Sequence, residues 1–286
     1  MTTVFEIHNE AGPGASAHGE RLHQVLAAAG TMAVAASGLE LPPIVTVRMV
    51  TVEGAVRSAQ AHVRHTARLA ADSFGNHPAM REMSLAGAEP NALQVADFVT
   101  ANWPMIQGQI NYGPQEADAE LVVMPAAHTE ARASDRFLTC VFGHELTHLA
   151  QLRLWLGMLH APIRLGIEDH VAGRPREQYR AVAELYEGHA QWVHRTIAEQ
   201  LCGERARRFL PGDPEPSALY RQITACRNPA LDEVYDGGER FVAALHRAGG
   251  LPLVERVLTD ESLVPRADEL ADPSKWLARQ VSDLPA

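Results

Sequence analysis

Lysine is nearly missing from this chain: Lys275 stands alone, and arginine supplies the rest of the 25 basic residues. Schiff-base chemistry is thereby confined to a single position. Acidic residues number 35 and the formal net charge is -10, so no basic surplus is available to neutralise phosphates and nucleic acid is a poor partner. Cysteine is scarce as well. Cys140, Cys202 and Cys226 are far apart, odd in number and without CxxC or CxxH spacing, which argues against a disulfide framework and against a cysteine-held zinc. Long apolar runs are lacking: the stretch from Val25 to Leu39 is mostly Ala and Gly, is broken by Thr31 and Ser37, and is too short to span a bilayer. The first residues, MTTVFEIHNE, carry an early acidic residue and no basic segment followed by an apolar one, so they do not read as a secretory signal. A cytoplasmic protein with no membrane partner is the expectation.

What is present is an ordinary globular composition, 46% hydrophobic and 21% charged over 286 residues, enough for one large domain or two small ones packed together. Against that background the 14 histidines stand out. Histidine is the commonest metal ligand and a general base, so the count points to metal or acid-base chemistry without locating it.

Strand patterns occur early. Thr3 to Ile7, Ile44 to Val50 and Glu120 to Met124 are rich in β-branched or apolar residues, the second following Pro42 and Pro43 and the third closed by Pro125. Helices are expected at His18 to Ala36 and Glu53 to Phe74. From Ser134 onward the pattern is helical. Ser134 or Asp135 can cap a helix running to His160, with Leu138, Val141, Leu149, Leu152 and Leu156 as its apolar stripe. Arg176 to Leu201 reads as a second long helix, PGDPEP at 211–216 as a turn, and 217–226, 232–248, 252–259 and 273–281 as further helices. The fold class is therefore α+β and predominantly helical: an N-terminal α/β part, 1–133, and a helical part, 134–286, forming one compact unit.

Residues 144 to 148 read His-Glu-Leu-Thr-His, an HExxH pattern inside the best helix of the chain. Residues four apart on a helix lie about 40° apart around its axis, so His144 and His148 face the same way and can reach one ion. Glu145 beside them can take a proton from a metal-activated water without being a ligand. A shuffled chain of this composition holds the pattern roughly 5% of the time, so its placement on an amphipathic helix carries much of the weight. Zinc needs a third ligand. The extended form HExxHxxGxxH is absent, because position 151 is Gln and position 154 is Leu. Glu184 and Glu187, on the next long helix, are the best-placed carboxylates, while Glu168, Asp169 and His170 fall in an expected loop.

The segments GHELTHLAQ, YEGHAQWV, YDGGERFVAALHRAGG and LVPRADELADPSKWLAR, in that order over residues 135 to 281, closely resemble the zincin-like DUF2342 family of zinc metallopeptidases, often labelled as associated with coenzyme F420 biosynthesis. The resemblance implies a zincin-like fold, with a twisted sheet packed on the HExxH helix, and a glutamate ligand at Glu187. It also marks a departure. Where the family pattern resembles EGHAD, this chain has Gln191, a weaker polariser of a ligating imidazole, so that Glu184 is an alternative supporting residue.

Further histidines are weighed by position. His194, seven residues after Glu187, shares its helix face and is a candidate to approach substrate; His189 points the other way and reads as structural. His128, between the last strand and the HExxH helix, reads as a solvated loop histidine or as a residue bordering the expected cleft. His62 and His65 are placed on a polar, arginine-bearing surface, and Cys140 as a buried thiol. Tyr179, Tyr186, Tyr220 and Tyr235 are candidate oxyanion donors. The function expected is a zinc-dependent hydrolase, a metallopeptidase with one Zn2+ and Glu145 as general base. The alternative is a zincin-fold protein acting on a small metabolite, or a metal-bound binding protein. The sequence is silent on oligomeric state, and no F420-binding motif is evident.

Overall fold

A computed structural model describes residues 3–112, 119–154, 161–173, 177–203, 205, 209–226 and 229–282. Strand β1 (Val4–Asn9) leads through helix α1 (Ser16–Ser37) to β2 (Ile44–Met49), a parallel pair in the register Phe5 with Val45 and Ile7 with Val47. Helices α2 (Val52–Ser73) and α3 (Pro78–Asn102) precede β3 (Gly108–Tyr112), which runs antiparallel to β4 (Ala119–Val123) with Ile110 opposite Leu121. The sheet order is β1-β2-β4-β3, so β3 is an edge strand. Both faces are covered, and the alternation of side chains along β4 shows how. Leu121 and Val123 enter the main core with Leu22, Leu26 and Phe142, whereas Val122 and Met124 join Val50, Ala55, Ala59 and Val99 on the α2–α3 side.

The remaining helices are α4 (Pro125–Ala131), α5 (Asp135–Leu154), α6 (Ala161–Val171), α7 (Glu177–Cys202), α8 (Ala218–Ala225), α9 (Pro229–Thr259), α10 (Ala267–Ala271) and α11 (Pro273–Ser282). Ser134 starts α5 as the sequence suggests: its Oγ accepts from the Phe137 N–H at 3.0 Å and donates to Asp213 at 2.6 Å. Gly250, at φ 68°, breaks α9 between the two expected helices. One apolar cluster runs from Phe5 to Trp276 through α1, α5, α7 and α9, with the HExxH helix at its centre. Among the described residues no helix is long and apolar enough to cross a membrane.

Two features correct the sequence reading. Glu168, Asp169 and His170 sit on helix α6 rather than in a loop. Strand β3 and helix α3 carry no pattern that announces them: GQINY has a single β-branched residue, and α3 encloses Pro90 while exposing Leu85, Leu93 and Phe98. Residues 155–160, the expected end of the HExxH helix, and Arg176 lie outside the described residues.

Helices α7 and α9 meet backbone to backbone. A Cβ at Gly188 would lie 2.1 Å from the Gly238 carbonyl carbon, and one at Gly238 would lie 1.8 Å from the Glu184 carbonyl oxygen. Only glycine fits at either position, and this crossing sets the height of Glu187, the residue before Gly188.

Candidate metal centre

The HExxH turn of α5 and the EGHA turn of α7 face one another. His144 Nε2 and His148 Nε2 are 3.1 Å apart, and Glu187 Oε2 lies 3.4 Å from the first and 3.5 Å from the second. These three side chains are the group among the described residues able to hold a metal ion. A tetrahedral zinc with ligands at about 2.0–2.1 Å separates its donor atoms by about 3.3–3.4 Å. The observed spacings match that figure, and two imidazoles with one carboxylate suit zinc chemically.

The neighbouring hydrogen bonds fix how these groups are presented. His148 Nδ1 donates to Gln151 Oε1 at 2.8 Å, so that loss of the proton on Nε2, as metal binding requires, leaves the Nε2 lone pair directed at the other two donors. Gln151 is itself oriented: its Nε2 donates to the Tyr186 carbonyl at 3.1 Å and to His189 Nδ1 at 2.9 Å, so its oxygen must face His148. The residue that rules out the extended motif thus anchors the second histidine. Its signal in the sequence is position: three residues after His148, one helical turn on, with an amide that can both accept and donate. Replacing Gln151 with Leu should weaken zinc binding about 10- to 100-fold in a competition titration against a chromogenic chelator. Unchanged affinity would show that His148 needs no such support.

Electrostatics bind the three groups together. Burial alone would pull His148 down, but the Glu187 carboxylate, with smaller help from Glu145 and Gln151, pushes it up to about 9. Burial would raise Glu187, yet His148 and His144 hold its carboxyl below the usual carboxylate range. Glu145 is shifted upward, chiefly by burial and also by Glu187, against the pull of the two imidazoles. It is wedged beside edge strand β3, where a Cβ on Gly108 would lie 3.3 Å from its Cγ.

These residues line a cavity of about 400 Å³ that also takes in His62, Gly108 to Ile110, Pro162, Tyr186 and Tyr235. His62 was expected on the surface but lines this cavity, and His65 is buried edge-on against Tyr112 at a ring separation of 4.5 Å. His128 is neither in a solvated loop nor at the cleft. It is buried on α4, pairing with His18 Nε2 at 2.7 Å and donating from Nε2 to the Gln107 carbonyl at 2.6 Å, which ties down the entry to β3. His194 is buried beside His144, ring centroids 6.5 Å apart, and does not line the cavity. Glu184 pairs with Arg180, and Gln191 is buried on α7; neither is hydrogen-bonded to the two α5 imidazoles, whereas Gln151 is bonded to His148. Cys140 is fully buried, its thiol pushed up to about 12 by desolvation.

The four tyrosine candidates separate cleanly. Tyr186 donates its hydroxyl to the Leu258 carbonyl at 2.7 Å, Tyr220 packs against Phe209, and the Tyr179 side chain lies outside the described residues. Tyr235 lines the cavity with its ring 6.2 Å from that of His144.

No family model matches the chain, that of the DUF2342 resemblance included, and no curated relative matches it. A solved structure does. The chain superposes on the crystal structure of a "putative hydrolase with a novel fold" from Chloroflexus aurantiacus with a TM-score of 0.61 and 18% identity, over 96% of this chain and 93% of that one. At that identity the likeness shows the fold alone. It carries the helix-rich α+β architecture but not the zincin label, since the neighbour's fold is described as novel.

Proposed function

We propose that this chain is a zinc-dependent hydrolase that cleaves peptide bonds, with the ion held by His144, His148 and Glu187. The observation that carries the reading is the coincidence of tetrahedral donor spacing with a half-buried carboxylate, Glu145, in the same cavity. When bound, zinc would polarise a scissile carbonyl and lower the pKa of a coordinated water toward about 7. The chain's own residues supply the rest. Glu145 takes a proton from the attacking water and passes it to the leaving amine, and burial raises its basicity for the first of these transfers.

Strand β3 supports an extended substrate. The Tyr112 N–H points away from β4, toward His62, and in an antiparallel ladder residues two apart share that direction. Gly108 and Ile110 therefore turn their N–H and C=O groups outward at the cavity, where an extended chain can pair with them. The description of the C. aurantiacus protein agrees at the level of reaction class. The cavity volume favours a second reading, hydrolysis of a small metabolite, because about 400 Å³ falls in the range of small-molecule sites. A quenched-fluorescent peptide library incubated with zinc-loaded protein separates the two. Cleavage that chelation abolishes and zinc restores supports the peptidase, and inactivity across the library with stoichiometric zinc supports the metabolite enzyme.

A further inference from the structure

The chemistry just described leaves the carbonyl oxygen of the substrate to gain charge with no protein donor assigned to it. Tyr186 is spent on Leu258, but His62 stands in the same cavity as Glu145, carried there by α2 from the N-terminal half of the chain. Its Nδ1 accepts the Tyr112 main-chain N–H at 3.1 Å, and its ring stacks on that of Tyr112 at 5.8 Å and 20°. A backbone N–H can meet only a lone pair, so Nδ1 is bare and the proton of the neutral ring sits on Nε2. Among the described residues Nε2 has no hydrogen-bond partner, and it is not sealed from solvent.

We propose that His62 is the oxyanion donor of this site, its Nε2–H hydrogen-bonding the carbonyl oxygen of a bound amide as that oxygen becomes negative. The inference rests on the hydrolytic reading. In the step concerned, the water oxygen bonds to the carbonyl carbon, the π pair moves to the carbonyl oxygen, and the water proton goes to Glu145; the His62 proton stays on Nε2. Desolvation, with some help from His65, lowers the His62 pKa to about 4, so the ring is a neutral donor at pH 7 rather than an acid. A fixed donor aimed at developing charge needs no reorganisation during the reaction.

The test has two arms. In zinc-loaded protein, His62→Ala should cut the cleavage rate of the fluorogenic peptide library about 10²- to 10³-fold with zinc stoichiometry unchanged, and His62→Gln, which keeps an N–H donor, should recover part of the loss. In zinc-free protein, long-range ¹H–¹⁵N spectra of labelled histidines, with His62→Gln identifying the signal, should show the proton on Nε2 from pH 6 to pH 8. A His62→Ala rate within twofold of wild type, alongside an inactive Glu145→Gln, overturns the role of His62 and leaves the hydrolase reading standing. A large loss in Tyr235→Phe with none in His62→Ala overturns it in favour of Tyr235. Wild-type protein that hydrolyses nothing in the library overturns the peptidase reading and with it the role of His62 toward a peptide amide, and an Nδ1-protonated or imidazolium ring at pH 6 overturns the tautomer on which the inference depends.

Discussion

Glu145→Gln is expected to retain one zinc per chain and to lose hydrolysis by about 10²- to 10⁴-fold, the range spanned by loss of a positioned general base. The substitution is nearly isosteric, so the packing of the side chain beside Gly108 is preserved and the fold should be undisturbed. What disappears is proton affinity: an amide cannot accept the water proton and cannot return it to the leaving amine. The separation from ligand loss is the informative part. His144→Ala and His148→Ala should lose zinc and activity together, whereas Glu145→Gln should lose only activity, as read by metal analysis and library cleavage on the same preparations. Wild-type turnover in the Gln variant would remove Glu145 from the mechanism.

Acid should unfold the zinc-free protein early. His128, His189 and His194 are each held at about 3, first by burial and then by neighbouring positive groups, and His62 is held at about 4. In the unfolded chain each returns to about 6.5. A histidine whose folded pKa is depressed contributes stability that is present above 6.5 and lost as the pH falls below it, because the unfolded state then binds the extra proton. By pH 5 each such group costs about 2 kcal/mol, so the first three together cost about 6 kcal/mol, comparable with the whole stability of an ordinary domain. His148 does not oppose this loss: raised to about 9, its contribution is already complete below 6.5 and declines only on the alkaline side. Urea unfolding in chelator from pH 7.5 to pH 5 should show stability falling with the uptake of three to four protons, and His194→Gln should remove about one of them. A flat profile between pH 7 and pH 5.5 would mean that these rings are solvated.

The sequence was most legible where spacing alone determines geometry. A helix puts His144 and His148 on one face whatever surrounds them, and a second helix with a glutamate opposite completes the set. Legibility failed where tertiary contact decides. His62 sits on a helix flanked by arginines and reads as surface; it becomes a cavity residue only because β3, a strand of weak propensity, brings the Tyr112 N–H to its ring. Gln151 looked like the residue that spoils a longer motif, and its role depends on Tyr186 and His189 arriving from α7. His128 was close in chain to the expected cleft, yet the short helix α4 turns it inward to Gln107. Glycines 188 and 238 are plain letters in EGHA and DGG, and their necessity appears only when α7 and α9 cross.

Two turns of helix, from α5 and α7, are proposed to build one zinc site. The most direct test is zinc binding to chelator-stripped protein by titration calorimetry, compared with Glu187→Gln, the variant that removes the charged ligand contributed by the second helix. One equivalent of zinc bound tightly by the wild type, with a sharp loss of affinity in Glu187→Gln, is the expected result. Failure of the wild type to bind, or equal affinity in the two proteins, would contradict it.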